Sequence, residues 1–149
     1  LLQRSGIRLT VNTEPDLPSL YADRYRVQTA LFILIQNALE ALKAEGEITV
    51  SAAALPDRRL IAITVQDNGP GIPPELMEKV CEPFFSTHTE EGLRGLGLAI
   101  VQDIAKEHGG HIGIRSRPGE GTEITLYFPL VDVISGERGF ENRSSLTNP

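Results

Sequence analysis

The order in which the hydrophobic period changes along this chain restricts its fold more than any other feature. "GIRLTVNTEPDLP" alternates apolar and polar residues at Ile7, Leu9 and Val11, a strand pattern that the prolines end. In "YADRYRVQTALFILIQNALEALKAEG" the apolar positions Val27, Leu31, Leu34, Ile35, Ala38 and Leu42 fall at helical spacing, with Gly46 as the expected stop. "EITVSAAAL" and "RRLIAITVQD" return to strand character around a turn at Pro56 and Asp57. "DNGPGIPP" is a loop by composition, and Pro73 and Pro74 suit the first turn of a short helix, "PELMEKV". "CEPFFSTHTEEGLRG" has no period and is expected to be a long exposed loop. "RGLGLAIVQDIAKEHGG" sets Ile100, Val101, Ile104 and Ala105 on one side of a helix that Gly109 and Gly110 stop. "GHIGIRSRPGEGTEITLYFPL" closes with a hairpin around Gly119 to Gly121.

Strands thus come in pairs with helices between them, which is not a regular βαβ repeat. The pattern predicts an α+β fold, a two-layer α/β sandwich with a mixed sheet of about five strands covered on one face by about three helices. One domain over residues 1–130 is expected, followed by a polar tail or linker at 131–149, where the apolar pattern fades.

A net charge of −6 argues against a broad basic face for nucleic acid. No apolar run approaches the roughly 20 residues needed to cross a bilayer. The lone cysteine, Cys81, excludes an internal disulfide and fits a reducing compartment. A start at Leu1 suggests a piece of a longer protein, so a cytoplasmic location is expected for this part even if the parent is membrane-anchored.

Three stretches bear on chemistry. In "GLRGLGLA" the glycines Gly92, Gly95 and Gly97 clear the approach to a helix start, where free N–H groups and the helix dipole favour phosphate. No Gly-Lys-Ser/Thr follows, and the spacing is not that of the dinucleotide fingerprint. Asn37 interrupts the apolar helix "LFILIQNALEAL", one turn from Ile33 and beside Glu40 and Ala41. Its amide either bridges neighbouring backbone or ligates a hard cation such as magnesium. Asp67 ends a strand before "NGPG"; its carboxylate either closes an ordinary turn or accepts from an exocyclic amine of a base.

"QNALEA", "DNGPGI", "EPFF" and "RGLGLAIV" occur in that order, and the succession resembles the ATP-binding catalytic domain of sensor histidine kinases over roughly residues 7–130. That family lies within the gyrase, heat-shock chaperone and MutL superfamily, and "NALEA" is similar to its nitrogen-regulation type. The resemblance implies a Bergerat ATP-binding fold with Mg-ATP held between helices and a loop lid. By it, Asn37 ligates Mg²⁺, Asp67 bonds the adenine amine, and Gly69 and Gly71 bring the loop close to the base. Phe84 and Phe85 anchor the lid over residues 86–94, Gly95 and Gly97 bring the helix start to the phosphates, and Thr122 adds a hydroxyl near the base. Ala41, Ile72, Leu96 and Leu98 complete the implied ATP-binding set.

The chain departs from that pattern in places. Where many sensor kinases carry a second Asn, and gyrase-like relatives a general-base Glu, this chain has Ile33, so unaided ATP hydrolysis is not expected. Glu40 stands where many relatives place Lys. His88 and Arg94 are the candidate phosphate contacts; no catalytic residue is assigned beyond them. Zinc at "HGGH" lacks a full ligand set, and His108 is expected to end a helix as a cation on its dipole. None of the histidines stands in an acceptor context, so the chain is expected to bind ATP without phosphorylating itself. Its expected partners are the histidine-containing dimerisation domain of a parent kinase and a response regulator, with the isolated domain monomeric. The competing reading is an anti-sigma-type serine kinase, an ATP-binding module that sequesters a partner.

Overall fold

Alternation in the strands decides which side of the sheet is dry. The structure, a computed structural model, describes residues 6–80 and 97–131. Five strands, β1 (Gly6–Thr13), β2 (Glu45–Leu55), β3 (Leu60–Asp67), β4 (His111–Arg117) and β5 (Gly121–Pro129), form one sheet in the order β1-β2-β3-β5-β4. β1 and β2 are parallel, as a strand pair joined through a helix requires, and the remaining neighbours are antiparallel. The register stacks like residues in rows: Val50, Val65, Ile124 and Ile114 stand level across four strands, and Ile63, Leu126 and Ile112 form the next row.

Both long helices, α1 (Arg24–Leu42) and α2 (Gly97–Glu107), pack on this apolar face and against each other. α1 contributes Ala30, Leu34, Ala38 and Leu42 to the core, and α2 contributes Val101, Ile104 and Ala105. Phe128, Leu34, Ile48, Ile104, Leu126 and Val101 are the largest side chains closed to solvent. Burial of each stabilises the fold by about 1.5–3 kcal/mol. Alternate β5 positions Glu123, Thr125 and Tyr127 face away, so the second face of the sheet carries no helical layer among the described residues.

The two-layer mixed sheet agrees with the sequence pattern, and three details differ. Among the described residues two α-helices cover the sheet, where about three were expected. "PELMEKV" makes only a 3-10 turn at Pro74–Leu76, with Leu76 N–H donating to the Pro73 carbonyl at 2.9 Å. Two adjacent prolines remove backbone donors, and so short a segment does not sustain a helix of its own. α1 ends at Leu42 rather than running to Gly46. Lys43 closes it with a positive φ of 64°, its N–H on the Leu39 carbonyl. Gly46 already belongs to β2, and its lack of a side chain leaves room for Leu42 and Asn68.

Candidate functional site

The apolar rows end in a polar one. At the level of Ile48, β3 presents Asp67, β5 presents Thr122 and β4 presents Ser116, each the direct register partner of the next. Asp67 is only 7% exposed. Its Oδ1 accepts the Gly69 N–H at 2.9 Å, closing the turn that leaves the strand. A Cβ at Gly69 would stand 3.0 Å from that oxygen, so glycine suits the turn.

The loop after Asp67 is held from several sides. Asn68 Oδ1 accepts the Glu47 N–H at 2.8 Å, Gly119 N–H donates to the Pro70 carbonyl at 2.8 Å, and Ile72 N–H donates to Ser116 Oγ at 2.7 Å. Gly71 takes a positive φ of 77°, and a side chain there would collide with the Arg117 carbonyl. Close approach of the sheet backbone is therefore already a sufficient reason for this glycine. A loop fixed at so many points is a rigid wall, which is what recognition needs.

That wall bounds a cavity of about 500 Å³ between loop, sheet and α1. Asp67, Thr122, Gly71 and Ile72 line one part of it; Asn37, Ala41 and Leu98 line it from the helices. Apolar walls with few convergent polar groups are the usual make-up of a small-molecule site. The Asn37 amide makes no hydrogen bond to any described residue, so its oxygen is available as a ligand to a hard cation. At the start of α2, a Cβ on Gly97 would lie 3.1 Å from Ile33 Cγ2 and 3.8 Å from both amide atoms of Asn37. The glycine thus brings the helix start onto α1 beside Asn37.

Burial raises the Asp67 carboxyl above its ordinary value, and the backbone amides of Gly69 and Thr122 oppose that rise by favouring the anion.

Of the residues singled out in the sequence, Asn37, Ala41, Asp67, Gly71, Ile72, Leu98 and Thr122 share the cavity, with Gly69 and Gly97 at its margins. Phe84, Phe85, His88, Arg94, Gly95 and Leu96 lie outside the described residues, as does Cys81. Sequence reasoning passed over Ser116, which does not itself line the cavity but holds two residues that do. Only the strand register could have revealed it. His108 also departs from expectation: its Nδ1 bonds the Ile104 carbonyl at 2.7 Å, and its Nε2 accepts the Asp23 N–H at 3.0 Å. A ring that accepts at Nε2 is neutral, so His108 is a hydrogen-bonded link and not a cation on the helix dipole. Neither nitrogen is left for a metal.

Known proteins resemble this chain in sequence and in fold. Residues 22–132 match the family described as histidine kinase-, DNA gyrase B-, and HSP90-like ATPase. The chain is 38% identical over 134 residues to the sensor histidine kinase ZraS of Klebsiella oxytoca, covering 90% of this chain and 28% of that protein. It is likewise 38% identical over 134 residues to the sensory histidine kinase/phosphatase NtrB of Salmonella typhimurium, covering 84% of this chain and 38% of that protein. The chain therefore spans well under half the length of these relatives. A nucleotide-free catalytic domain of histidine kinase ThkA superposes with a TM-score of 0.74 at 32% identity, covering 86% of this chain and 81% of that one. ThkA in complex with the response regulator TrrA gives 0.72 at 31% identity, covering 87% of this chain and 36% of that one. No helix among the described residues is long and apolar enough to cross a membrane. The fold, the cavity and the match over most of its length agree: this chain belongs to the histidine kinase-, DNA gyrase B-, and HSP90-like ATPase family.

Proposed function

We propose that this chain is the ATP-binding catalytic domain of a two-component sensor histidine kinase, with the domain over residues 1–130 and a polar tail over 131–149. It binds Mg-ATP and donates the γ-phosphoryl to a histidine on a separate dimerisation domain, for relay to an aspartate of a response regulator. The observation that carries this reading is one cavity lined both by a buried carboxylate, Asp67, and by an amide without a described protein partner, Asn37.

Each residue has a distinct task. Asp67 accepts from the exocyclic amine of adenine, and Ile72, Leu98 and Ala41 give the base apolar contact. Asn37 is the residue that would hold Mg²⁺, through its amide oxygen; when bound, the ion neutralises phosphate charge, the chief need of phosphoryl transfer. Gly97 opens the start of α2 toward phosphate, whose charge suits free N–H groups there. His88 and Arg94 are candidate phosphate contacts. Ile33, beside Asn37, carries no proton acceptor, so no described group at that point activates water. This suits an enzyme that must spare ATP for a protein acceptor. The domain works in the cytoplasm and is monomeric when isolated.

Radiolabelled ATP and a supplied dimerisation domain test the reading. Transfer should yield acid-labile, base-stable phosphohistidine on that domain. Acid-stable phosphoserine on an antagonist protein, or no transfer despite bound ATP, would overturn it.

A further inference from the structure

We propose that Ser116 is a positioning residue that sets which purine the cavity accepts, by fixing the Thr122 hydroxyl as an acceptor toward the ligand. The inference rests on the reading of the cavity as a purine nucleotide site. Ser116 Oγ lies 2.7 Å from Ile72 N, 2.9 Å from the Gly121 carbonyl oxygen and 3.0 Å from Thr122 Oγ1. A serine hydroxyl has one hydrogen to give. The Ile72 N–H can only donate, and the Gly121 carbonyl can only accept. The serine hydrogen therefore goes to Gly121, and Thr122 must supply the hydrogen for its bond to Ser116.

With that hydrogen committed, Thr122 has only lone pairs left for the cavity it lines beside Asp67. Ionised Asp67 also offers only lone pairs. This end of the cavity consequently presents acceptors alone. An exocyclic amine, with two hydrogens, matches it; a 6-oxo group meets lone pairs from both residues. Ser116 is absent from the cavity wall and acts through Thr122 and through the Ile72 N–H.

The test compares Mg-ATP with Mg-ITP, the 6-amino and 6-oxo purine triphosphates, by calorimetric titration of the wild-type chain, Ser116→Ala, Ser116→Thr and Thr122→Val. Wild type should prefer ATP. In Ser116→Ala the Thr122 hydroxyl is free to turn and donate, so the ATP:ITP preference should fall about five- to tenfold, the scale of one hydrogen bond. Ser116→Thr, which keeps a hydroxyl, should retain the preference, and Thr122→Val should lower it. Equal loss of both affinities in Ser116→Ala, with the ratio unchanged, would make Ser116 merely structural and overturn the inference. Should Ser116→Ala fail to fold, an unchanged ratio in Thr122→Val overturns it instead. Wild-type chain that binds ATP and ITP alike also removes the inference while leaving a nucleotide site; wild-type chain that binds neither removes the site reading itself.

Discussion

The backbone N–H of Asp23 donates to His108 Nε2 at 3.0 Å, joining the residue that caps α1 to the residue that follows α2. The Asp23 carboxylate accepts from Tyr25 N–H and Arg26 N–H, and Arg26 reaches Glu107 Oε1 at 2.6 Å beside the same junction. The His108 ring also meets Phe128 edge-on, with centroids 5.8 Å apart. Two substitutions separate these contributions. His108→Phe keeps an aromatic ring and loses both hydrogen bonds of the imidazole, to the Ile104 carbonyl and from the Asp23 N–H, and should destabilise the chain by about 1–3 kcal/mol. His108→Ala loses the ring contact as well and should destabilise it further. Urea midpoints at constant slope measure the two, and a wild-type midpoint for His108→Phe would show that the two bonds contribute nothing.

Burial of Asp67 ties the stability of the chain to pH. Because burial lifts its carboxyl above 3.8, the folded chain holds that proton more tightly than the unfolded chain does. The group therefore favours the folded state most below 3.8, and that contribution is lost as pH rises through the raised folded value. Asp67→Asn removes the charge and keeps an acceptor oxygen. It should gain in stability on wild type at neutral pH, with the gap closing as pH falls toward 3.8. Thermal melts across that range check the sign; a constant gap would contradict it. Asp67→Ala should abolish nucleotide binding with the far-ultraviolet circular dichroism unchanged.

Asn37→Ala should weaken ATP binding chiefly when Mg²⁺ is present. Loss of one oxygen ligand with its dependent contacts predicts about a tenfold or larger drop. Titrations with Mg²⁺ and with EDTA distinguish metal ligation from packing, since equal losses in both would point to packing alone.

Gly97 and Ile33 should be coupled. Gly97→Ala places a methyl 3.1 Å from Ile33 Cγ2, close enough that one of them must shift. Alone it should destabilise despite the better helix propensity of alanine, and in an Ile33→Ala background the penalty should largely disappear. A double-mutant cycle is expected to give an interaction energy of about 0.5–2 kcal/mol. Strict additivity of the two changes would show that the helices do not meet at this point.

The strand character of "RRLIAITVQD" and of the closing hairpin was legible before any coordinates; which of their residues face the core, Ile61 and Val65 on β3 and Ile124, Leu126 and Phe128 on β5, comes from the structure. Asn37 stood out because it interrupts an apolar helix, and Asp67 because it ends a strand before a Gly-rich turn. The end of α1 did not, since Lys43 takes a positive φ without being glycine, and Gly46 misled as the obvious stop. Ser116 was invisible for another reason. Its meaning comes from lying opposite Thr122, which lies opposite Asp67, and strand partners distant in sequence leave no mark on local periodicity.

The position of that polar row within the sheet has a kinetic consequence. β3 and β5, which carry Asp67 and Thr122, each have a hydrogen-bonded neighbour on both sides, whereas β1 and β4 lie at the margins. Amide exchange should therefore be slowest along β3 and β5 and fastest at the outer strands. Fraying that starts at β4 would reach Ser116 first and release its hold on Thr122 and Ile72, while Asp67, in the interior of the sheet, stays paired longest.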